Sequence, residues 1–186
     1  MGKIILFNMM TLDGYFKGKN NGLDWHHVDE EFNEFAIEQL NSAEGLIFGR
    51  LTYELMAGYW QTPEAIANDP IIAGKMNAIP KFVFSTNLDK AAWQNTQLLK
   101  GNIELEVKRI KERLKRDMLI FGSASLASKF RTLDLIDEYR IMINPIILGN
   151  GEPLFEPLND RLKLHLVRTK TFHSGNVLLV YEPRRE

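Results

Sequence analysis

Two short segments of the sequence carry residue types suited to holding phosphate groups. In Phe48-Gly49-Arg50-Leu51-Thr52 a glycine ends an apolar run and opens an amphipathic one. Such a strand-to-helix junction presents unpaired backbone N–H groups together with the positive end of a helix dipole. Gly49 lets a ligand approach the backbone, Arg50 can pair with a phosphate oxygen, and the Thr52 hydroxyl can donate a further hydrogen bond. Phe121-Gly122-Ser123-Ala124-Ser125-Leu126 repeats the arrangement, and Ser85-Thr86-Asn87 gives a third polar end to an apolar run. Taken singly, each segment also fits an ordinary small-residue turn. Taken together, they point to a long phosphate-bearing ligand lying across several strand ends, where ligands of open α/β sheets collect. A dinucleotide fits that description.

The elements that must position these turns are legible in the hydrophobic pattern. Apolar runs at 3–10, 45–48, 81–85 and 118–121 predict buried strands, interleaved with amphipathic segments as in a largely parallel sheet with helices on its faces. The helices are expected over 29–40, with Asp29 as N-cap, from Gly49 onward, within the proline-punctuated stretch 63–80, over 103–114 behind Asn102, and over 126–130. The pattern then changes. A strand is expected over 139–148, and period-two alternation over 162–172 and 177–181 around His173-Ser174-Gly175-Asn176 predicts an antiparallel hairpin. The last four residues, 183–186, read as a dispensable tail. With 186 residues and 45% hydrophobic content the chain suits one core, so a single domain over 1–186 is expected. A net charge of −1 from 23 basic and 24 acidic residues gives no footprint for nucleic acid or an anionic membrane. The short apolar start has no leader-like features, so a cytoplasmic location is expected. The absence of cysteine excludes disulfides, thiol nucleophiles and cysteine-ligated metals. His26-His27 with His165 and His173 makes no helical ligand pair, so no metal site is expected.

In this order the segments resemble the dihydrofolate-reductase-like superfamily, specifically stand-alone proteins similar to the reductase domain of bacterial riboflavin-biosynthesis deaminase-reductases. The resemblance rests on the Met10-Thr11-Leu12-Asp13-Gly14-Tyr15 segment, the junction from Phe48 to Glu54, the strand from Lys81 to Ser85, the turn from Phe121 to Ser125, and the stretch from Asn144 to Phe155. It implies an α/β three-layer fold, a central mostly parallel sheet flanked by helices with an antiparallel C-terminal hairpin, and a homodimer. It also implies an NADPH-dependent reductase of a small heterocyclic substrate, similar to 5-amino-6-(5-phosphoribosylamino)uracil reductase or to dihydrofolate reductase. Carried over by motif, Gly49, Arg50, Thr52, Gly122, Ser123, Ala124, Ser125 and Leu126 hold the cofactor phosphates, with Ser85 and Thr86 near the adenosine end. Folate reductases commonly have an arginine after the third-strand serine and two consecutive glycines where this chain has Gly122-Ser123. NADPH therefore rests on the resemblance, and dinucleotide binding on the strand ends.

Hydride transfer to a C=N or C=O group needs a proton source, which a carboxyl group with a shifted pKa can supply. Asp13, in the Leu12-Asp13-Gly14 motif, and Asp24 and Glu30, near the helix that bears the pterin-binding acid in folate reductases, are the catalytic candidates. Trp25 and Gly14 are the candidates for substrate contact. Asp13-Gly14 also suits an Asx turn, and Trp25 also suits a core. The competing readings are a catalytically degenerate nucleotide-binding or regulatory module with the same fold, and a flavodoxin-like mononucleotide domain, against which the C-terminal hairpin argues.

Overall fold

The computed structural model describes residues 2–155 and 161–185. In chain order its elements are β1 (Ile4–Thr11), β2 (Tyr15–Lys17), α1 (Glu30–Ser42), β3 (Ala43–Gly49), α2 (Arg50–Trp60), α3 (Pro63–Asn68), α4 (Pro70–Ala78), β4 (Lys81–Phe84), β5 (Thr96–Leu99), α5 (Ile103–Arg113), β6 (Asp117–Phe121), α6 (Ala124–Thr132), β7 (Glu138–Asn144), β8 (Glu152–Pro153), β9 (Leu164–Thr171) and β10 (Val177–Pro183). Eight strands form one sheet in the order β5-β4-β3-β6-β1-β7-β10-β9, while β2 and β8 pair separately. From β5 to β7 every pairing is parallel; β10 and β9 close the sheet antiparallel.

The central strands are buried on both faces, which is why they are apolar throughout instead of alternating. Along β1, Ile4 and Leu6 pack with Val107, Ile110, Leu126 and Phe130 of α5 and α6. The intervening Ile5 joins Leu46, Phe48 and Leu119 beneath Leu40, Tyr53, Ile72 and Met76 of α1, α2 and α4. Lys81 is fully buried at the start of β4. Its Nζ donates to the carbonyls of Met76, Asn77 and Ile79 at 2.8, 3.1 and 2.7 Å, tying the end of α4 to the sheet. Asp29 and Asn102 cap α1 and α5 as their positions predict, accepting from Phe32 N and Leu105 N at 2.8 and 3.1 Å.

Four expectations are corrected. The segment 96–99, read as part of a polar connection, is the outer parallel strand β5; at a sheet edge only Leu99 is buried, so no apolar run announces it. The turn-rich loop after β1 contains β2, which pairs with β8 far along the chain, a contact with no local signature. The strand expected to reach 148 stops at Asn144, because Pro145 has no N–H to extend a ladder. The tail is engaged: Pro183 ends β10, and Arg185 pairs with Asp134 and Asp137 at 3.3 and 3.1 Å. Glu186 lies outside the described residues. Among the described residues, no helix is long and apolar enough to cross a membrane, and no cluster of His, Asp and Glu is arranged to hold a metal ion.

Candidate active site

Parallel pairing places the carboxyl ends of β1, β3, β4, β5 and β6 along one edge of the sheet, and a cleft of about 920 Å³ runs across them. Gly49, Arg50, Thr52, Ser85, Thr86, Gly122, Ser123, Ala124, Ser125 and Leu126 all line it. The two glycine turns face each other, because β3 and β6 are neighbours: a Cβ on Gly49 would run into Ser123 Oγ, and one on Gly122 would sit 3.3 Å from Thr52 Cγ2. Gly122 and Ser123 both adopt the left-handed region, at φ +61° and φ 61°. The turn thereby opens α6 toward Gly49.

The helices that begin here lack what others have. α1, α3 and α5 are capped by the side chains of Asp29, Thr62 and Asn102, whereas α2 and α6 begin at Gly49 and Ser123 with no side-chain cap. Of the other helices, α4 is also without a side-chain cap but opens on Pro70. Two helix N-termini with free first-turn N–H groups therefore meet at adjacent strand ends, a concave site for anionic oxygens. Arg50 stands beside them, paired with Glu54 at 2.9 Å on a half-exposed surface where such a pair exchanges readily for another anion. Farther along, Ser85 Oγ accepts from the N–H groups of Asn87 and Leu88 and shapes the turn after β4. The cationic side chains of Lys100 and Lys129 also line this part of the cleft.

Toward β1 the cleft changes character. It passes between α1 and α2 over α4, which packs against both, and is walled by Phe32, Ala36, Leu40, Met56, Trp60 and Met76. Two polar groups interrupt this apolar lining without hydrogen-bond partners among the described residues: Asn8 Nδ2 and His26 Nε2. Burial pulls the His26 pKa down to about 4, so the imidazole is neutral at physiological pH. Its placement is built. The N–H of His27 donates to Asn144 Oδ1 at 3.1 Å, the His27 carbonyl accepts from Asn176 Nδ2 at 3.0 Å, and the Trp25 ring stands edge-on to His26 at 4.4 Å.

The residues expected to serve the substrate lie elsewhere, none of them in the cleft lining. Asp13 accepts from Leu148 N and Gly149 N at 3.1 and 2.7 Å, fastening the loop after β1 to the loop after β7. A hydrogen bond with Thr11, outweighing partial desolvation and joined by those from Gly149 and Leu148, holds its carboxyl below the usual range, the opposite of what a neutral-pH proton donor needs. Gly14 takes φ +90° in the adjoining turn. Asp24 and Glu30 are exposed, and Trp25 is buried in a cluster with Phe7, Phe35 and Phe172. In the sequence His26 stands out only as half of a histidine pair without metal-ligand spacing, and Asn8 only as part of the first strand, where it is the one polar residue within the run from Ile4 to Met10. That interruption was the available signal.

Comparison with known proteins agrees with this geometry. Residues 2–178 match the family model for the RibD C-terminal domain. YyaP of Bacillus subtilis (strain 168), itself described as uncharacterized, is 34% identical over 181 residues, covering 96% of this chain and 94% of that protein. The crystal structure of a Shewanella sp. PV-4 protein with a provisional riboflavin-biosynthesis name superposes with a TM-score of 0.75 at 24% identity, over 98% of this chain and 99% of that one. Dihydrofolate reductase from Enterococcus faecalis, solved with NADP(H), gives a TM-score of 0.66 at 14% identity over 99% and 98% of the chains. The fold is thus dihydrofolate-reductase-like, and the chain belongs to the RibD C-terminal domain family.

Proposed function

We propose that the protein is an NADPH-dependent reductase of a small organic substrate, acting in the cytoplasm as a homodimer. One observation carries the reading: the N-termini of α2 and α6, both without a side-chain cap, face each other across Gly49 and Gly122-Ser123 at adjacent strand ends. First-turn N–H groups, Arg50 and Thr52 would hold the cofactor phosphates, and Ser85, Thr86 and Lys100 would flank its adenosine end. The bound dinucleotide would supply a hydride. Asn8 and His26 would hold the acceptor group of the substrate. A neutral His26, in the tautomer with its proton on Nε2, donates a hydrogen bond to a carbonyl or imine and leaves the net proton to come from water. Asp13 serves as a positioning residue for the β2–β8 ribbon. Support for the dimer is the open edge of β9, with Leu166 and Val167 exposed.

The test is loss of NADPH absorbance over a panel of carbonyl and imine compounds, repeated for Asn8→Ala and His26→Ala. Each variant should lower kcat by roughly 10–100-fold with an unchanged Kd for NADPH, as loss of a group that contacts only the reacting end requires. NADPH binding with no turnover of any compound would instead identify a nucleotide-binding module.

A further inference from the structure

Charge is segregated along the cleft. Its cationic side chains are Arg50 at the start of α2, Lys100 after β5, Lys129 on α6, and Lys17, which is neutralised by Glu152 at 2.8 Å. Among the described residues, the slot between α1 and α2 has none: it is lined by Phe32, Ala36 and Leu40 of α1 and Leu55, Met56 and Trp60 of α2, with Ile72 and Met76 of α4. Gln39, the polar residue that α1 contributes, accepts from Arg140 Nη1 at 3.3 Å. No carboxylate of α1 lines the slot either, since Glu30, Glu31, Glu34 and Glu38 are absent from its walls. A phosphate placed here would lose its hydration without gaining a counter-charge, and a protonated heterocycle would find no anion. An aromatic ring, by contrast, meets Phe32, Trp60 and the adaptable Met56, whose Sδ lies 3.3 Å from Trp60 Nε1.

On the reductase reading, we infer that the substrate is an uncharged aromatic ketone or aldehyde whose ring lies between α1 and α2 and whose carbonyl reaches Asn8 and His26, with phosphorylated compounds rejected. The reaction balances simply. Hydride from the reduced nicotinamide adds to the carbonyl carbon, the C=O π bond opens, and a proton from water completes the alcohol. The oxidised dinucleotide leaves.

The test is a matched pair of probes, 4-methoxyacetophenone and 4-acetylphenyl phosphate, titrated calorimetrically into the protein alone and with saturating NADP+. We expect the methoxy ketone to bind at least about tenfold more tightly in both settings. Leu55→Arg, at an exposed position on the slot wall, should shift the preference toward the phosphate by about tenfold, while Leu55→Gln should not. Equal affinity, preference for the phosphate, absence of methoxy-ketone binding, or the same shift in both Leu55 variants would overturn the inference. Because the apo titration needs no dinucleotide, failure here leaves the cofactor reading standing, and a protein that ignores NADPH fails separately.

Discussion

Ser123 holds the left-handed conformation at φ 61°, ψ 60°, where a side chain is penalised and glycine is not. Ser123→Gly should therefore raise stability by about 1 kcal/mol, read by urea denaturation. Serine stands here where folate reductases commonly have a second glycine, and it takes the left-handed backbone nonetheless. His26 makes a pH prediction. Burial lowers its pKa from 6.5 to about 4, so the unfolded chain takes up a proton that the folded chain refuses. Its contribution is complete above about pH 6.5 and is lost as pH falls toward 4. His26→Gln should flatten the stability profile in that window, measured as the urea midpoint against pH; an unchanged profile would remove burial as the cause.

At the scale of elements, α1, α3 and α5 start under side-chain caps, whereas α2 and α6 start uncapped at the two glycine turns of the cleft. Asp29→Ala should cost about 1 kcal/mol by uncapping α1 and should not alter NADPH binding. Gly49→Val should weaken NADPH binding by at least about tenfold, measured by fluorescence titration, because its side chain must displace Ser123 from the facing turn. Equal NADPH affinity for wild type and Gly49→Val would contradict the facing-turn cradle. The same distinction explains what the sequence made legible. The strands that run apolar and end in Gly49 or Phe121-Gly122 announce themselves because burial on both faces and the need for close approach restrict residue choice locally. The β5 edge strand and the β2–β8 ribbon are specified by pairing partners distant in the chain, so their own residues carry little signal. The strand-end turns that line the cleft were legible because turns are local, whereas Asn8 and His26 are brought into the same cleft only by the fold, with the neighbouring His27 backbone held by Asn144 and Asn176.

Across the whole molecule, the cleft and the stabilising ion pairs occupy opposite ends of the sheet. The cleft lies at the carboxyl ends of the strands; at the other end, Lys3 bridges Glu138 and Glu182, Arg140 pairs with Glu138 at 2.6 Å, and Lys111 and Arg185 hold Asp137. Burial alone would raise the carboxyls of Asp137 and Glu138, but hydrogen bonds from Lys111 and the Ile4 N–H to the first, and from Lys3 and Arg140 to the second, hold both below their ordinary values. Their stabilisation is present above pH 4 to 5 and disappears as pH falls through the lowered values. Asp137→Asn should accordingly reduce the loss of stability on acidification below about pH 4, followed by circular dichroism, without affecting NADPH binding. The central claim is that the strand-end cleft takes a reduced dinucleotide, and it is tested most directly by the thermal midpoint of the purified protein with NADPH and, separately, NADH. NADPH at about 100 times its Kd should add about 2.7 kcal/mol and raise Tm by roughly 5–10 °C at this chain length. No shift with either dinucleotide would contradict the account.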